Sequence, residues 1–416
     1  MVWWMHFQTA KRREGVHFGW MGTKDIVYET INVIFECNGN YDGYDINALT
    51  KAGVNIFNVD MTLNDTDYFN SIKDAIQFAQ NVPKILISTY HTPVGLSVTI
   101  SANNPIEVDD RVDIIILKDI MTTDELRTFK KRNDKFSSLP ILFWPPTLKI
   151  EDLNELIKFT DGIILDPSLG SVYSDFHEVL RKCKESRRPV FFMNPCVIDD
   201  YYEDTANDRQ LLLLANDVIK YRFDGVFFKD RFEKIPIEFM QAFVRGTDMI
   251  ATEFDESAEL DYFKLTMPIQ APVLQPYTVA LAASLAAFYS EASAIIVLTT
   301  TGASARILSF AAPPCRVLAV TRHLRTARTL HLYRKILPLY YKEKRAICWQ
   351  DESLARIAFG TEFGLDTGLF NLVSKLVVLA PTEELSGYCN SFQILTVSYI
   401  RHAFTCGVPS HGEDID

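Results

Sequence analysis

The sequence predicts an α/β protein built from two successive parallel-sheet domains. Three observations carry this. Between residues 31 and 253, short apolar runs alternate with amphipathic helix patterns, as strand–helix units do. Those units number about eight, the count that closes a (β/α) barrel. A break holding three prolines, Met267–Pro276, then precedes further strand–turn–helix units. Periodicity by itself leaves both a barrel and an open doubly wound sheet standing.

The elements follow in order. Strand-like Ile31–Glu36 leads to a helix pattern at Asn47–Ala52, and strand-like Val54–Val59 leads to a helix at Asp67–Gln80. Lys84–Ser88 reads as the next strand. Then come strand Val112–Leu117 with helix Thr123–Arg132, strand Pro140–Phe143 with helix Ile150–Phe159, and strand Gly162–Leu165 with helix Asp175–Ser186. Strand Pro189–Met193 with helix Asp208–Tyr221, and strand Gly225–Phe228 with helix Pro236–Glu253, close the series. Beyond the break, helix Val279–Tyr289 precedes a buried strand, Ala294–Leu298, and helix Ala305–Phe310 precedes strand Val317–Thr321.

Composition narrows the function classes. A formal net charge of −11 argues against a general nucleic-acid binder, which needs a basic surface. Seven cysteines without a C-x-x-C pair read as reduced thiols in a cytoplasmic protein. The most apolar region, Tyr277–Thr301, contains Glu291 and several serines, so it splits into a helix and a strand rather than spanning a membrane. Residues 1–29, with a basic cluster and no long apolar run, read as an arm, and 406–416 as a solvated acidic tail. No P-loop or dinucleotide glycine fingerprint is present.

The stretch 292–340 is the most informative. Ala294–Leu298 runs into Thr299-Thr300-Thr301-Gly302, and Val317–Thr321 runs towards Thr326-Ala327-Arg328 and His331-Leu332-Tyr333-Arg334. This order resembles the carboxy-terminal domain of pyruvate kinases. Weaker similarity runs back through Lys51–Asn64 and Val112–Leu126 to cover most of residues 30–405. The resemblance selects a TIM (β/α)8 barrel over residues 30–270, followed by an α/β carboxy-terminal domain over 271–405. It also implies an inserted β-domain that lids the barrel after the third strand. Here only Tyr90–Arg111 is available, so residues 90–111 are expected to be a vestigial loop or hairpin and the lid absent.

The resemblance further implies magnesium and potassium as cofactors, with a catalytic lysine, a Glu–Asp metal pair and a phosphate-binding arginine at the barrel mouth. Residue by residue, the lysine matches Trp144, the Glu matches Pro146, the Asp matches Ser168 and the arginine matches Asn58. A late-strand threonine matches Asn194, and a Gly-Glu-Thr matches Asp230-Arg231-Phe232. Proline offers no side-chain oxygen and indole carries no cationic charge, so the divalent site is expected to be lost. Asp60, Thr62 and Thr89 keep oxygens and are the remnant candidates for a monovalent cation. The mouth is thus expected to carry aromatic, proline and neutral side chains in place of charged ones.

In the second domain, Thr299, Thr300, Thr301, Gly302 and Ser304 lie between a strand and a helix, where N–H groups and hydroxyls can cradle an anion. The resemblance implies the phosphate of a phosphorylated sugar there. The same residues also serve simply to cap a helix. Glu383 and Glu384, in the expected facing loop, bring the wrong charge for an anion. The expected function is a catalytically inactive, pyruvate kinase-like protein with a regulatory or scaffolding role. It would act as a homo-oligomer or beside an active pyruvate kinase. A weakly active kinase and a phosphometabolite-binding module are the alternatives.

Overall fold

A computed structural model describes residues 31–63, 65–81, 92–101, 109–120, 122–132, 138–145, 150–166, 173–194, 206–229, 237–253, 273–384 and 386–406. Eight parallel strands close into a barrel in sequential order. They are β1 (Asn32–Cys37), β2 (Ile56–Asp60), β3 (Gly95–Ser101), β4 (Ile114–Lys118), β5 (Ile141–Phe143), β6 (Gly162–Leu165), β7 (Val190–Asn194) and β8 (Gly225–Lys229). Closure is made by β1 against β8, with Glu36 opposite Lys229.

Helices α1 (Gly43–Ala52), α2 (Thr66–Asn81), α3 (Thr123–Arg132), α4 (Ile150–Phe159), α5 (Tyr173–Glu185), α6 (Ala206–Lys220) and α7 (Ile237–Glu253) follow β1, β2, β4, β5, β6, β7 and β8, and among the described residues no helix follows β3. The start of α1 shows why sequence boundaries shift. Asp42 and Asp45 form a reciprocal capping box, which begins the helix at Gly43, ahead of the expected Asn47. Gly53, at φ 111°, ends it.

One strand is placed differently from the expectation. The sequence pattern predicts a strand at Lys84–Ser88 and a vestigial insert at 90–111. Instead, residues 95–101, inside that supposed insert, form β3, hydrogen-bonded between β2 and β4. Lys84–Ser88 lies outside the described residues. The alternation in Gly-Leu-Ser-Val-Thr-Ile-Ser mixes small hydroxyl side chains with apolar ones, so it lacks the continuous apolar run of its neighbours.

Strand side chains alternate between the two faces. Ile34, Ile56, Ile114, Ile116, Leu142, Ile164, Phe191, Met193 and Phe227 fill the barrel interior, while Val33, Phe35, Phe57, Ile115, Leu117 and Phe228 pack outward against the helices.

The second domain is a five-stranded sheet of order β11-β10-β9-β12-β13, with the last pair antiparallel. Its strands are β9 (Ala294–Leu298), β10 (Arg316–Thr321), β11 (Ile336–Tyr340), β12 (Lys375–Ala380) and β13 (Ser391–Thr396). Helices α8 (Gln275–Tyr289), α9 (Ala303–Phe310), α10 (Leu324–Thr329), α11 (Trp349–Asp366) and α12 (Val397–Cys406) cover it. No described helix is long and apolar enough to cross a membrane.

The segment His331–Arg334 seats this domain under the N-terminal rim of the barrel. Asn32 Nδ2 donates to Tyr333 O at 2.9 Å, and His331 Nε2 lies 2.9 Å from Pro93 O. Arg328 reaches Gln80 and stands 3.7 Å from Asp113. The motif residues singled out in the sequence therefore hold two domains together, through ion pairs and backbone contacts.

Asp113 is buried in this seam, and its Oδ2 accepts from Leu96 N. Burial, only partly offset by the Arg328 charge, pushes its carboxyl up to about 6. A folded value above the unfolded one means the fold favours the protonated form. The resulting cost is absent below the unfolded pKa and is fully present once pH passes about 6. Asp113→Asn keeps an acceptor for Leu96 N without the charge. Urea denaturation should find it as stable as the parent, or more so, at pH 8. It should also lack the parent's relative gain on going to pH 5.

Candidate functional site

The barrel mouth is assembled by strand parity. Residues two positions beyond the interior isoleucines and phenylalanines also face inward at the C-terminal ends. This places Glu36 on β1, Asn58 and Asp60 on β2, Thr99 on β3, Lys118 on β4, Trp144 just past β5 and Lys229 on β8.

Lys118 Nζ lies 2.6 Å from Asp60 Oδ2. Asp60 Oδ1 accepts from both the hydroxyl and the backbone N–H of Thr62. Burial alone would raise the Asp60 carboxyl, but the Lys118 and Thr62 hydrogen bonds outweigh it and hold it below the usual carboxylate value. Trp144 is buried against Phe227, and both ammonium groups approach its ring. Lys118 Nζ is 4.3 Å and Lys229 Nζ 5.2 Å from the centroid. Deeper in, Asn58 Nδ2 donates to Thr99 Oγ1 at 2.9 Å, and Ser97 Oγ donates to Asn58 Oδ1 at 3.0 Å.

Glu36 is 1% exposed. Its Oε1 accepts from Asn38 Nδ2, while Oε2 is buried without a partner. Burial raises this carboxyl above its ordinary value, against the pull of Lys229 and Lys118.

These observations correct the expectation of a mouth stripped of charge. Trp144 and Asn58 stand there as read, but two lysines and two carboxylates stand with them. The signal was present in the sequence. The apolar runs Val-Ile-Phe, Ile-Ile-Ile-Leu and Gly-Val-Phe-Phe each end on a charged residue, Glu36, Lys118 and Lys229. Ending the strands at Leu117 and Phe228 leaves Lys118 and Lys229 outside them, and Glu36, inside its expected strand, carries no mark of facing inward.

Of the other predicted positions, Asn194 ends β7. Pro146, Ser168, Thr89 and Asp230-Arg231-Phe232 lie outside the described residues. A cation is a poor fit for the Asp60–Thr62 remnant. Lys118 already supplies positive charge to one carboxylate oxygen, and Thr62 supplies donors to the other. An incoming ion would have to displace the ammonium. Trp144 offers a divalent ion no oxygen. Among the described residues, no group of three or more His, Cys, Asp or Glu side chains is arranged to hold a metal.

The second-domain loop uses its own oxygens internally. Thr299 Oγ1 accepts from Gly302 N at 3.0 Å, and Thr301 Oγ1 from Ala303 N at 3.4 Å. Gly302 sits at φ 81°, where a side chain is strained. Ser304 is buried, and its Oγ accepts from Cys389 N at 3.1 Å. Thr300 and Thr301 are exposed. Across from it, Glu384 pairs with Arg345, and Ser386 donates to Glu383 O. This geometry is that of a capped turn.

A closed barrel of eight parallel strands with an open α/β domain docked beneath its N-terminal rim defines a narrow class of two-domain barrel proteins. Residues 277–395 match the family model described as pyruvate kinase, alpha/beta domain. Pyruvate kinase 2 of Saccharomyces cerevisiae is 29% identical over 263 residues, 60% of this chain and 50% of that protein. Pyruvate kinase 1 of the same yeast is 36% identical over 260 residues, 60% of this chain and 51% of that protein. Human pyruvate kinase PKLR is 42% identical over 113 residues, 27% of this chain and 20% of that protein. Residues 277–395 thus carry the alpha/beta domain of pyruvate kinases, and these similarities support membership of the pyruvate kinase family. The chain spans about half the length of its yeast relatives.

Proposed function

We propose that this chain is a catalytically silent member of the family that acts as a regulatory or scaffolding subunit, as a homo-oligomer or beside an active pyruvate kinase. One observation carries the reading. The ammonium of Lys118 neutralises Asp60 at the barrel mouth, and Trp144 lies over it where the resemblance calls for a catalytic lysine. Phosphoryl transfer needs a divalent ion and a free cation poised on the charge in flight. Lys118, already paired with an aspartate and stacked on indole, is poorly placed to serve. Beside Lys229, unpaired among the described residues, no described group of acidic side chains is arranged to hold the divalent ion. Each preorganised electrostatic group of this kind typically contributes about 10²–10³ in rate, so losing several leaves little turnover. The capped turn at 299–304 gives no added support to the phosphometabolite alternative.

The test is a lactate dehydrogenase-coupled assay of pure protein with phosphoenolpyruvate, ADP, magnesium and potassium. The expected result is no pyruvate above the no-enzyme control. Metal-dependent pyruvate formation, abolished by EDTA, would sink the silent reading. Light scattering of the protein, alone and mixed with an active pyruvate kinase, tests the second half. A monomer in both conditions removes the scaffold role.

A further inference from the structure

We propose that the barrel mouth binds a small zwitterionic α-amino acid, with its carboxylate on Lys229 and its ammonium on Glu36. Lys229 and Glu36 occupy partner positions on neighbouring strands, and both face inward. Opposite charges so placed ordinarily meet as an ion pair. Here they do not. Among the described residues Lys229 makes no ion pair, and its Nζ lies instead 5.2 Å from the Trp144 ring centroid. Glu36, 1% exposed, is left with Oε2 buried and unpartnered.

A buried carboxylate oxygen without a donor calls for one. The neighbours are committed elsewhere. Lys118 is held by Asp60, and Asn58 is hydrogen-bonded to Thr99 and Ser97. Lys229 is partly exposed, and its flexible stem can swing without breaking an ion pair, which opens Glu36 to the mouth.

The charge pattern selects the ligand. A simple carboxylate would set a second anion beside Glu36, and a simple amine would set a third cation beside two lysines. Either leaves charge uncompensated in a partly buried site. A zwitterion carries both signs two bonds apart and adds no net charge. Trp144 and the Lys118–Asp60 pair fill the adjoining positions, which favours a compact side chain.

This inference is independent of phosphoryl transfer, so the coupled assay and the binding test can fail separately. Isothermal titration of the full chain would use glycine and L-alanine, with propionate and methylamine as single-charge controls. The expected result is saturable binding of the two amino acids alone. Lys229→Gln and Glu36→Gln should each weaken it about tenfold or more, as loss of a charged hydrogen bond does. Circular dichroism checks the fold of each variant, and should Glu36→Gln misfold, Lys229→Gln decides. No saturation by either amino acid up to about 50 mM, a range that covers millimolar affinity, would overturn the proposal. So would equal binding of either control, or affinity unchanged in Lys229→Gln.

Discussion

Replacing Arg322 with leucine will lower the stability of the second domain by about 3 kcal/mol, the usual cost of leaving a buried charge without its partner. Arg322 clamps Glu352 through two hydrogen bonds, Nε to Oε1 at 2.6 Å and Nη2 to Oε2 at 2.9 Å. Its remaining donors reach the Glu343 and Lys344 carbonyls, and its plane lies over the Tyr341 ring. Glu352 is buried and also accepts from Ala346 N. Burial by itself would raise the Glu352 carboxyl, but Arg322 and Ala346 reverse that and hold it below the ordinary value. In the parent, this pairing therefore stabilises the fold above the unfolded carboxylate pKa and fades as pH falls through the folded one. In Arg322→Leu the burial remains and the partner is gone, so the sign inverts and acid should stabilise the variant relative to neutral pH. Urea unfolding at pH 4 and pH 7 reads both effects. A second substitution, Glu352→Leu, should recover most of the loss, because an apolar pair of similar volume replaces a buried ion pair at little cost. Arg322→Leu stability within a few tenths of the parent at pH 7 would refute the account.

Replacing Gly225 with valine will cost about 3 kcal/mol or more, or will prevent folding altogether. Gly225 opens β8 at the point where the barrel closes. A Cβ built there would lie 2.4 Å from the carbonyl oxygen of Asn32 and 2.4 Å from the Phe191 ring. The ring can turn aside, but the carbonyl belongs to β1 and cannot. Trimming the ring with Phe191→Ala should therefore fail to rescue Gly225→Val, and it would open a cavity of its own. Far-UV circular dichroism and thermal denaturation measure this. Full rescue by the double variant would show that only the ring contact mattered.

Much of the architecture is legible along the chain, because strand and helix periods differ and buried parallel strands read as apolar runs. Helices Thr123–Arg132 and Ile150–Phe159 and strands Gly162–Leu165 and Ala294–Leu298 carry the bounds expected of them. β3 was not legible. Its inward Ser97 and Thr99 hydrogen-bond to Asn58 inside the barrel, so polar residues occupy positions that a pattern reading assigns to a loop. β11 to β13 and helices α10 to α12 also have no counterpart among the elements expected from the sequence.

The candidate site was half visible. Trp144 and Asn58 were found because they stand where charged groups were expected. Lys118 and Lys229 fall one residue past the expected strands Val112–Leu117 and Gly225–Phe228, and Glu36, though inside Ile31–Glu36, gives no sign in the sequence of which face it takes. Closure of the barrel turns those strand ends inward, towards one another.

The residues alone determined the alternation of strands and helices, the two-domain division and the family resemblance, since each rests on local pattern or on ordered motifs. Only the tertiary structure decided which charges meet. Asp60 and Lys118 are 58 positions apart and form an ion pair, whereas Glu36 and Lys229 sit on neighbouring strands without one. Pairing of charges depends on distance in space, and that distance is fixed when β8 closes on β1.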